Sequence, residues 1–443
     1  MALSGHTIGV VGLWHLGSVY SAGLADLGHR VIGFDDNPET IMNFQAQHLP
    51  VYEPELAELI KKNVSSGQLQ FTNDPSALRV CDVIWLTIDT PLADDGHPDI
   101  FPLEIILQQI ALYFQNPVTL VVSSQVPIGT AGKFSQLIKN IRPDLQFHYV
   151  YQPENLQLGQ ALKSFFTPSR IVIGADDQIV IGVIQEIFAK LNTPISIVST
   201  ASAEMIKHAL NAFLGTSLSF IYDIADLCDV YGADVLEVSR ALKSDQRIGN
   251  SAYLDASLGF SGGTLDRDLS ILVLKAKEQG IMVPVIEQVA RKNKNHWLTL
   301  IKFLESNIAD LSHTTIGILG LTYKPGTSTL RHSLSIKVAQ ALVPLVKEIR
   351  GHDPLASTEE IIAEVAPMVV SDDVYTMSQG CSALLVMTAS PEYKTLDFYA
   401  LSQVLIGPKI LFDAKNFLHE QEEEIKKHGL QYRGVGRGHS TLL

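Results

Sequence analysis

Short apolar runs alternate with helical patterns through the first part of the chain. Thr7–Val11 is an apolar run that ends at Gly12, and apolar residues recur at helical spacing over Leu16–Leu27. A second apolar run, Arg30–Phe34, ends at Asp35. Further buried strands are predicted at Val83–Ile88, Val118–Val122 and Phe147–Val150. Strands that alternate with helices predict a doubly wound parallel sheet, here of about 200 residues.

The middle of the chain has a helical pattern. Residues 202–231 contain no proline, with Ser202 as a predicted N-cap and Gly232 as a predicted C-cap. A helix of that length measures about 45 Å, more than one small domain needs. Asp234, followed three residues later by Glu237, predicts the start of a second helix. We therefore expect a mainly helical segment from about 200 to 305 that links two flanking lobes.

A second α/β pattern fills the last part of the chain. Thr315–Leu319 predicts a strand that ends at Gly320, and Ser335–Val346 predicts a helix. Further strands are predicted at Met368–Val370, Leu384–Thr388 and Ile410–Phe412. The sequence after Gly320 is not a dinucleotide fingerprint, so the two lobes have different tasks. The predicted fold class is α/β: two Rossmann-like doubly wound domains, residues 1–200 and 312–443, joined by a central helical segment, 201–305, with one long helix.

Composition narrows the class of protein. The 443 residues are 46% hydrophobic and 18% charged, with a formal net charge of −14. An acidic protein offers no counter-charge to nucleic acid or to an anionic membrane surface. No apolar run reaches membrane-spanning length, and the first residues lack a secretory pattern. The three cysteines have no metal-ligand spacing. We expect a soluble, cytoplasmic protein with reduced thiols and no metal site.

The strongest local motif is the turn Gly12-Leu-Trp-His-Leu-Gly17, with Asp35 at the end of the next strand. Such a turn directs helix N–H groups at a pyrophosphate, and the acidic residue binds a ribose hydroxyl, which favours NAD over NADP. Trp14, however, occupies the position where glycine normally admits the diphosphate. Either NAD still binds, with the indole turned aside or packed on the cofactor, or the domain has lost NAD binding.

Further motifs extend over nearly the whole chain, and together they resemble the UDP-glucose/GDP-mannose dehydrogenase family. They are Tyr52-Glu-Pro-Glu-Leu56, Thr90-Pro91, Pro153-Glu154, Pro168-Ser-Arg-Ile-Val-Ile-Gly174, Ala203-Glu-Met-Ile-Lys-His208 with Asn211-Ala-Phe213, Gly259-Phe260 through Asp268, Tyr323-Lys-Pro325 with Arg331, and Gly436-Arg437. Each is weak alone, but their number and order indicate homology.

The resemblance implies an NAD-binding domain, a central segment that forms a homodimer, and a C-terminal domain that binds the nucleotide of a UDP-sugar. Family members oxidise the C6 hydroxyl twice, through an aldehyde and a cysteine thioester. The implied cofactor-binding residues are Gly12, Trp14, His15, Leu16, Gly17, Asp35, Thr90, Arg267 and Arg331. The implied substrate-binding residues are Glu154, Lys207, Asn211, Tyr253, Ser261 and Lys324. The implied catalytic residues are Lys207, Asn211, Asp268, Thr264 and Glu154.

This chain departs from the family pattern at several positions that the resemblance assigns to the active site. Thr264 stands where the family has its nucleophilic cysteine, and a threonine hydroxyl ionises far less readily than a thiol. Leu158 replaces a glutamate that the family uses in hydrolysis, Gln125 replaces a threonine, and Ser261 replaces a glycine. Arg267 replaces a lysine and keeps its charge. The thioester route therefore lacks its nucleophile.

Three hypotheses follow. The first is NAD-dependent oxidation at C6 of a UDP-hexose that stops at the aldehyde, and we expect this one. The second is a full double oxidation to the uronate by an altered site. The third is a catalytically degenerate protein that binds a nucleotide sugar or NAD on a dehydrogenase fold. Lys207, Asn211 and Asp268 favour the first two, whereas Thr264, Leu158 and Trp14 favour the third.

Overall fold

The computed structural model describes residues 5–90, 98–154 and 156–438. By its internal contacts the chain divides into two compact units, residues 1–210 and 211–443. The predicted α/β class with two Rossmann-like sheets is confirmed.

The first unit is built on a twisted sheet with the strand order β3-β2-β1-β4-β5-β6-β7-β8. Its strands are β1 Thr7–Val11, β2 Arg30–Phe34, β3 Leu69–Thr72, β4 Val83–Leu86, β5 Val118–Val122, β6 Phe147–Tyr151, β7 Ile171–Gly174 and β8 Ile195–Val198. Neighbouring strands run parallel except β6 and β7, which are antiparallel. Two apolar cores cover the two faces: Val10 belongs to one core and its neighbour Val11 to the other. This alternation follows from the two-residue period of a strand.

Helices flank this sheet on both faces. They are α1 His15–Asp26, α2 Pro38–Gln45, α3 Leu56–Ser65, α4 Phe101–Ile110, α5 Thr130–Ile141, α6 Ala161–Phe166 and α7 Gln178–Ile187. Short 3₁₀ helices lie at Pro75–Val80, Ala111–Tyr113 and Ala189–Leu191. The order β1-α1-β2 that the sequence predicted is confirmed, although α1 begins at His15 rather than Leu16.

The long central helix α8, Thr200–Tyr231, has 32 residues. Ser202 is not its N-cap, because the helix has already begun and the Ser199 hydroxyl accepts the Ser202 N–H at 3.2 Å. Gly232 ends the helix with φ of +73°, as predicted for a C-cap glycine. The Asp234 carboxylate accepts the Leu236 N–H at 2.8 Å and caps the next helix, also as predicted. Among the described residues, no helix is long and apolar enough to cross a bilayer.

The second unit has a parallel sheet with the order β11-β10-β9-β12-β13-β14. Its strands are β9 Thr315–Leu319, β10 Glu348–His352, β11 Val369–Val370, β12 Ala383–Val386, β13 Ile410–Asp413 and β14 Gln431–Gly434. Its helices after α8 are α9 Val235–Ser244, α10 Gly263–Glu278, α11 Pro284–Asn295, α12 Leu298–Asn307, α13 Leu334–Leu342, α14 Thr358–Glu364, α15 Val374–Ser378, α16 Phe398–Val404 and α17 Glu422–Lys427, with 3₁₀ helices at Leu311–His313, Pro391–Thr395 and His419–Gln421. Helix α13 ends four residues earlier than predicted, because the chain must turn before β10.

Helix α8 carries a stripe of exposed apolar side chains. Phe213, Phe220 and Leu227, spaced seven residues apart, are 68%, 48% and 53% exposed. From the sequence, the apolar residues Phe213, Leu214, Leu218 and Ile221 of this helix are all candidates for a dimer interface. Ile221 is fully buried in the core of its own unit, and Leu218 packs against that core. These two residues are therefore wrong as interface candidates, because they already belong to the core of their own unit.

Candidate active site

The glycines of the dinucleotide turn meet strict local requirements. Gly12 has φ of +92°, a left-handed conformation that L side chains rarely adopt. A Cβ at Gly17 would collide with the carbonyl oxygen of Gly12, so this glycine lets α1 pack closely on β1. These are the roles that a dinucleotide fingerprint assigns to its first and last glycines.

Asp35 closes the turn. Its Oδ2 accepts the Leu13 N–H at 2.9 Å, and its Oδ1 accepts the Asn37 N–H at 3.1 Å. These bonds hold the carboxylate at the end of β2, where its remaining lone pairs can accept from a ribose diol. Asp36 stands beside it on the same cavity, so a 2′-phosphate would meet two negative charges.

A cavity of about 360 Å³ lies along this turn. Its walls include Trp14, Asp35, Ile88, Pro102 and Ile105. Apolar walls with a few placed polar groups suit a flat base and its ribose. The glycine turn, the carboxylate and the apolar walls therefore fit the adenosine half of NAD.

Trp14 holds the N-cap position of α1 without a side-chain capping bond. Its indole is 48% exposed, lines the same cavity, and meets the His15 ring edge-on at 6.3 Å. The Trp14 carbonyl accepts both the N–H and the hydroxyl of Ser18, at 2.9 and 2.6 Å. The bulky residue thus keeps the backbone geometry of the turn, and its side chain forms part of the cavity wall.

Two other predicted cofactor residues, Leu16 and Thr90, have contacts within the first unit. Leu16 packs against the core of the first unit. The buried Thr90 hydroxyl donates to the Gln125 carbonyl at 2.5 Å, which joins two positions singled out by the sequence. Pro91, from the same motif, lies outside the described residues.

Lys207 and Glu154, two of the predicted site residues, are in contact in the first unit. The Lys207 ammonium is buried and donates to the Glu154 carbonyl at 2.5 Å and to its Oε1 at 3.1 Å. The other carboxylate oxygen of Glu154 accepts the Leu156 N–H at 2.7 Å. Lys207 is therefore not part of a solvated helix face, and its charge is held towards the loop that contains Glu154. Leu158 is half-buried in the same loop.

Asn211 and Asp268, two further predicted site residues, are in contact within the second unit. The Asn211 Nδ2 donates to Asp268 Oδ2, and both side chains are buried. Lys207 and Asn211 are one turn apart on the same helix, α8. Burial of a carboxylate is costly unless hydrogen bonds compensate for the lost water, and the Asn211 amide supplies one such bond to Asp268.

Thr264 is the second residue of α10, directly after the loop that ends at Gly262, and its side chain is exposed. Gly262 precedes the helix with φ of +84°. The Ser261 hydroxyl accepts the Leu334 N–H at 3.3 Å, which connects this serine to the backbone of α13. Tyr253, upstream of the loop, is 44% exposed.

Cationic side chains surround this loop. Lys324 lies over the ring of Tyr323 at 5.6 Å, and a Cβ at Gly262 would be 3.2 Å from that ring. Beside Gly263 lies the ring of His332, whose pKa is lowered by burial and then by the Arg331 and Arg267 charges. Lys324 and the positive end of α10 suit a negatively charged ligand such as a diphosphate, with the neutral ring of His332 beside them.

Sequence reasoning missed two residues of this cluster. His332 directly follows Arg331 and has φ of +56°, an uncommon conformation for a non-glycine residue that often marks functional loops. Lys415 is remote in sequence, yet its Nζ lies 3.5 Å from the Gly259 carbonyl. Burial lowers the pKa of Lys415 to about 8, although the Asp413 carboxylate acts in the opposite direction. Only His332 had a signal in the sequence, its position next to a motif arginine.

The three thiols of the chain are poorly suited to act as nucleophiles. Cys81, Cys228 and Cys381 are all buried. Burial raises the pKa of Cys81 to about 12 and that of Cys381 to about 11, and it raises the pKa of Cys228 as well. Thiols of this kind supply almost no thiolate at neutral pH. Within the described part of the chain, no group of histidine, cysteine or acidic residues could hold a metal ion.

Comparison with known proteins identifies the family. The models of the UDP-glucose/GDP-mannose dehydrogenase family match over the NAD binding domain (residues 6–192), the central domain (201–295) and the UDP binding domain (317–420). The chain is 32% identical to UDP-glucose 6-dehydrogenase TuaD of Bacillus subtilis over 433 residues, covering 97% of this chain and 93% of that protein. It is also 32% identical to UDP-glucose 6-dehydrogenase of Rhizobium meliloti over 438 residues, covering 97% and 99%.

The fold agrees with these matches. The solved UDP-glucose dehydrogenase of the archaeon Pyrobaculum islandicum superposes with a TM-score of 0.90 at 28% identity, covering 98% of each chain. The expected NAD cofactor and dehydrogenase class are thereby confirmed. Three matched domains and relatives of nearly full length lead to one conclusion: the chain belongs to the UDP-glucose/GDP-mannose dehydrogenase family.

Proposed function

We propose that the protein oxidises the C6 hydroxyl of a UDP-linked hexose with NAD and releases the aldehyde rather than the uronate. The observation that carries this proposal is the contrast between two sets of groups. The side chains proposed for the first oxidation are buried and hydrogen-bonded: Lys207, Asn211 and Asp268. For the second oxidation, Thr264 and Leu158 stand at the positions where the family pattern has a cysteine and a glutamate.

Substrate binding is assigned to the cationic cluster of the second unit. Lys324, Lys415 and the start of α10 offer positive charge around the loop of Gly259–Thr264. A sugar diphosphate supplies matching negative charge, and its burial strengthens each contact. Tyr253 and Ser261 are the further substrate contacts that we propose.

Cofactor binding is assigned to the turn and cavity of the first unit. Asp35 accepts hydrogen bonds from the adenosine ribose, and the turn of Gly12–Gly17 directs its N–H groups at the diphosphate. Arg267 and Arg331 supply the positive charge that we propose for the rest of the dinucleotide. When bound, NAD accepts a hydride from the carbon that is oxidised.

The first oxidation needs an oriented oxygen and a proton acceptor. Two of the three N–H bonds of Lys207 go to Glu154 among the described residues, which leaves one for the C6 oxygen. That bond and the Asn211 amide hold the oxygen while its charge increases. Asp268 takes the hydroxyl proton, directly or through water. The alcohol thus loses a hydride and a proton and becomes the aldehyde.

The second oxidation first requires an adduct at the aldehyde carbon. A thiolate would add directly, but Thr264 needs a base to remove its proton. Leu158 provides no carboxylate for the hydrolysis that would follow. For this reason we propose that turnover yields one NADH per sugar.

Two other functions each have one supporting observation. The ring of His332 beside Gly263 could remove a proton from water and hydrate the aldehyde, which favours a water-based second oxidation to the uronate. Trp14 in the cofactor cavity favours a protein that binds nucleotide sugar without turnover.

The ratio of NADH formed to UDP-glucose consumed, with hydroxylamine present to trap aldehyde, tests the proposal. We expect a ratio of one with trapped aldehyde. A ratio of two with free uronate would refute it in favour of the water-based route, and no turnover would favour the binding protein. Thr264→Cys combined with Leu158→Glu should move the ratio towards two, whereas Thr264→Cys alone should not, because Leu158 and Gln125 stay unchanged.

We also propose that the protein is a homodimer that buries the stripe of Phe213, Phe220 and Leu227 on α8. Three large apolar side chains exposed at a seven-residue spacing are typical of a helix that packs against another helix.

A further inference from the structure

Glu53 comes from the motif Tyr52-Glu-Pro-Glu-Leu56, which the proposed chemistry does not use. Tyr52 is 80% exposed, whereas Glu53 is 4% exposed. A carboxylate is rarely buried without several donors, because desolvation of the charge is costly. The contacts of Glu53 therefore indicate what it does.

Both carboxylate oxygens of Glu53 bind the junction between the loop that contains Glu154 and α6. Oε2 accepts the Gly159 N–H at 2.7 Å, and Oε1 accepts the Ala161 N–H at 2.6 Å. Gly159 lies near the end of this loop, which also contains Leu158, and Ala161 is the first residue of α6. The loop is thus held at its beginning by Lys207 and at its end by Glu53.

The same carboxylate also reaches the cofactor turn. His15 Nε2 lies 3.0 Å from Glu53 Oε2, and the His15 side chain is 11% exposed. Because a carboxylate only accepts, Nε2 must carry the proton. His15 is the first residue of α1, directly after Trp14, and so belongs to the turn that faces the dinucleotide.

We propose that Glu53 is a positioning residue that couples the cofactor turn to the loop that contains Glu154, the partner of Lys207. This inference rests on the proposed function, since that function assigns the cofactor turn to NAD and Lys207 to the C6 oxygen of the sugar. When NAD binds at the turn, the position of His15 is fixed, and through Glu53 the loop end at Gly159–Ala161 is fixed as well. Binding of the sugar nucleotide then costs less conformational entropy, because the loop is already ordered. Each ligand therefore strengthens the binding of the other.

The test measures the affinity for UDP-glucose by calorimetry with and without saturating NADH. In the unaltered protein we expect NADH to strengthen UDP-glucose binding about fivefold or more. Glu53→Gln replaces one accepting oxygen by an amide that cannot accept, and should reduce this factor below about twofold. His15→Phe keeps the ring but removes the Nε2 proton, and should reduce it as well.

Glu204→Gln is the matched control. The Glu204 carboxylate is equally buried and accepts the N–H groups of Gly129 and Ala131 at 2.6 and 2.9 Å, which belong neither to the cofactor turn nor to the loop that contains Glu154. Its loss should destabilise the protein to a similar extent and leave the NADH effect unchanged. An unchanged effect in Glu53→Gln, or an equal loss of the effect in Glu204→Gln, would overturn the proposal.

Amide hydrogen exchange of the ligand-free protein separates this inference from the proposed function. Glu53→Gln should speed exchange at Gly159 and Ala161 about tenfold, whereas Glu204→Gln should act on Gly129 and Ala131. If exchange at Gly159 and Ala161 does not change in Glu53→Gln, the proposal that Glu53 holds this end of the loop is overturned. If the unaltered protein binds neither ligand, the proposed function fails, and the exchange data still decide whether Glu53 holds the loop.

Discussion

Replacement of Lys207 by methionine removes a buried positive charge while nearly preserving the shape of the side chain. In our mechanism the ammonium donates one hydrogen bond to the C6 oxygen, and that bond strengthens as the oxygen becomes negative. Loss of a single donor of this kind costs about 2.7–4 kcal/mol in the transition state, or a factor of 10² to 10³ in kcat. We expect Lys207→Met to lose activity to this extent.

The structure also sets the cost in stability. Lys207 gives up its bonds to the Glu154 carbonyl and to Oε1, and Glu154 is exposed enough for water to replace them in part. The loss should be about 1–3 kcal/mol, which for a unit of this size lowers Tm by about 2–4 °C per kcal/mol. The protein should therefore stay folded at room temperature.

The assay follows NADH absorbance with UDP-glucose, and calorimetry measures NADH binding. Lys190→Met is the matched control, because the Lys190 ammonium also donates to a backbone carbonyl, that of Leu27 at 2.5 Å, in the same unit. It should lose stability but not kcat. A kcat for Lys207→Met within about threefold of the parent value, or an equal loss of kcat in Lys190→Met, would refute the assigned role of Lys207.

Three further predictions follow from other parts of the structure. Asp35→Ala should weaken NAD binding by about 1.5–3 kcal/mol, which is the contribution of a hydrogen bond to a charged group. Trp14→Gly should strengthen NAD binding or leave it unchanged. Calorimetry with NAD measures both effects, and loss of binding in Trp14→Gly would contradict the prediction. Phe220→Asp should convert the dimer into a monomer in light scattering, and a monomeric parent protein at micromolar concentration would remove the dimer claim. Burial lowers the pKa of His296 from 6.5 to about 4. The stability that the neutral, buried ring contributes is therefore present above pH 6.5 and is lost as the pH falls from 6.5 towards 4. The free energy of unfolding should decrease by up to about 3 kcal/mol over this range. Urea unfolding should therefore depend less on pH over this range in His296→Phe than in the parent, and equal dependence would contradict the assignment.

The order of elements could be predicted because it depends on local spacing. Thr7–Val11 and Arg30–Phe34 were correct to the residue, since buried parallel strands appear as short apolar runs that end at turn residues. Strands with mixed polarity, such as β8 and β14, carried no such signal and were missed. Glycine positions with a steric requirement, Gly12 and Gly17, could also be read directly.

Part of the candidate site was likewise contained in the sequence. The four-residue spacing of Lys207 and Asn211, and the presence of a threonine at position 264 within the Gly259–Asp268 motif, needed no coordinates. The partners of these residues did: Lys207 with Glu154, and Asn211 with Asp268, are pairs distant in the chain. The motifs suggested that these residues matter, and the fold provides the contacts that account for it.

Tertiary structure alone decided which apolar and charged residues face inward. Ile221 and Phe220 are neighbours with similar hydrophobicity, yet one is fully buried and the other is 48% exposed. Lys415 reaches the carbonyl of Gly259, and Glu53 joins His15 to the loop before α6, across separations that no periodicity encodes. A sequence determines local backbone preferences, but the direction of each side chain and its distant partners are set only when the elements pack, because packing selects one face of every helix and strand for burial.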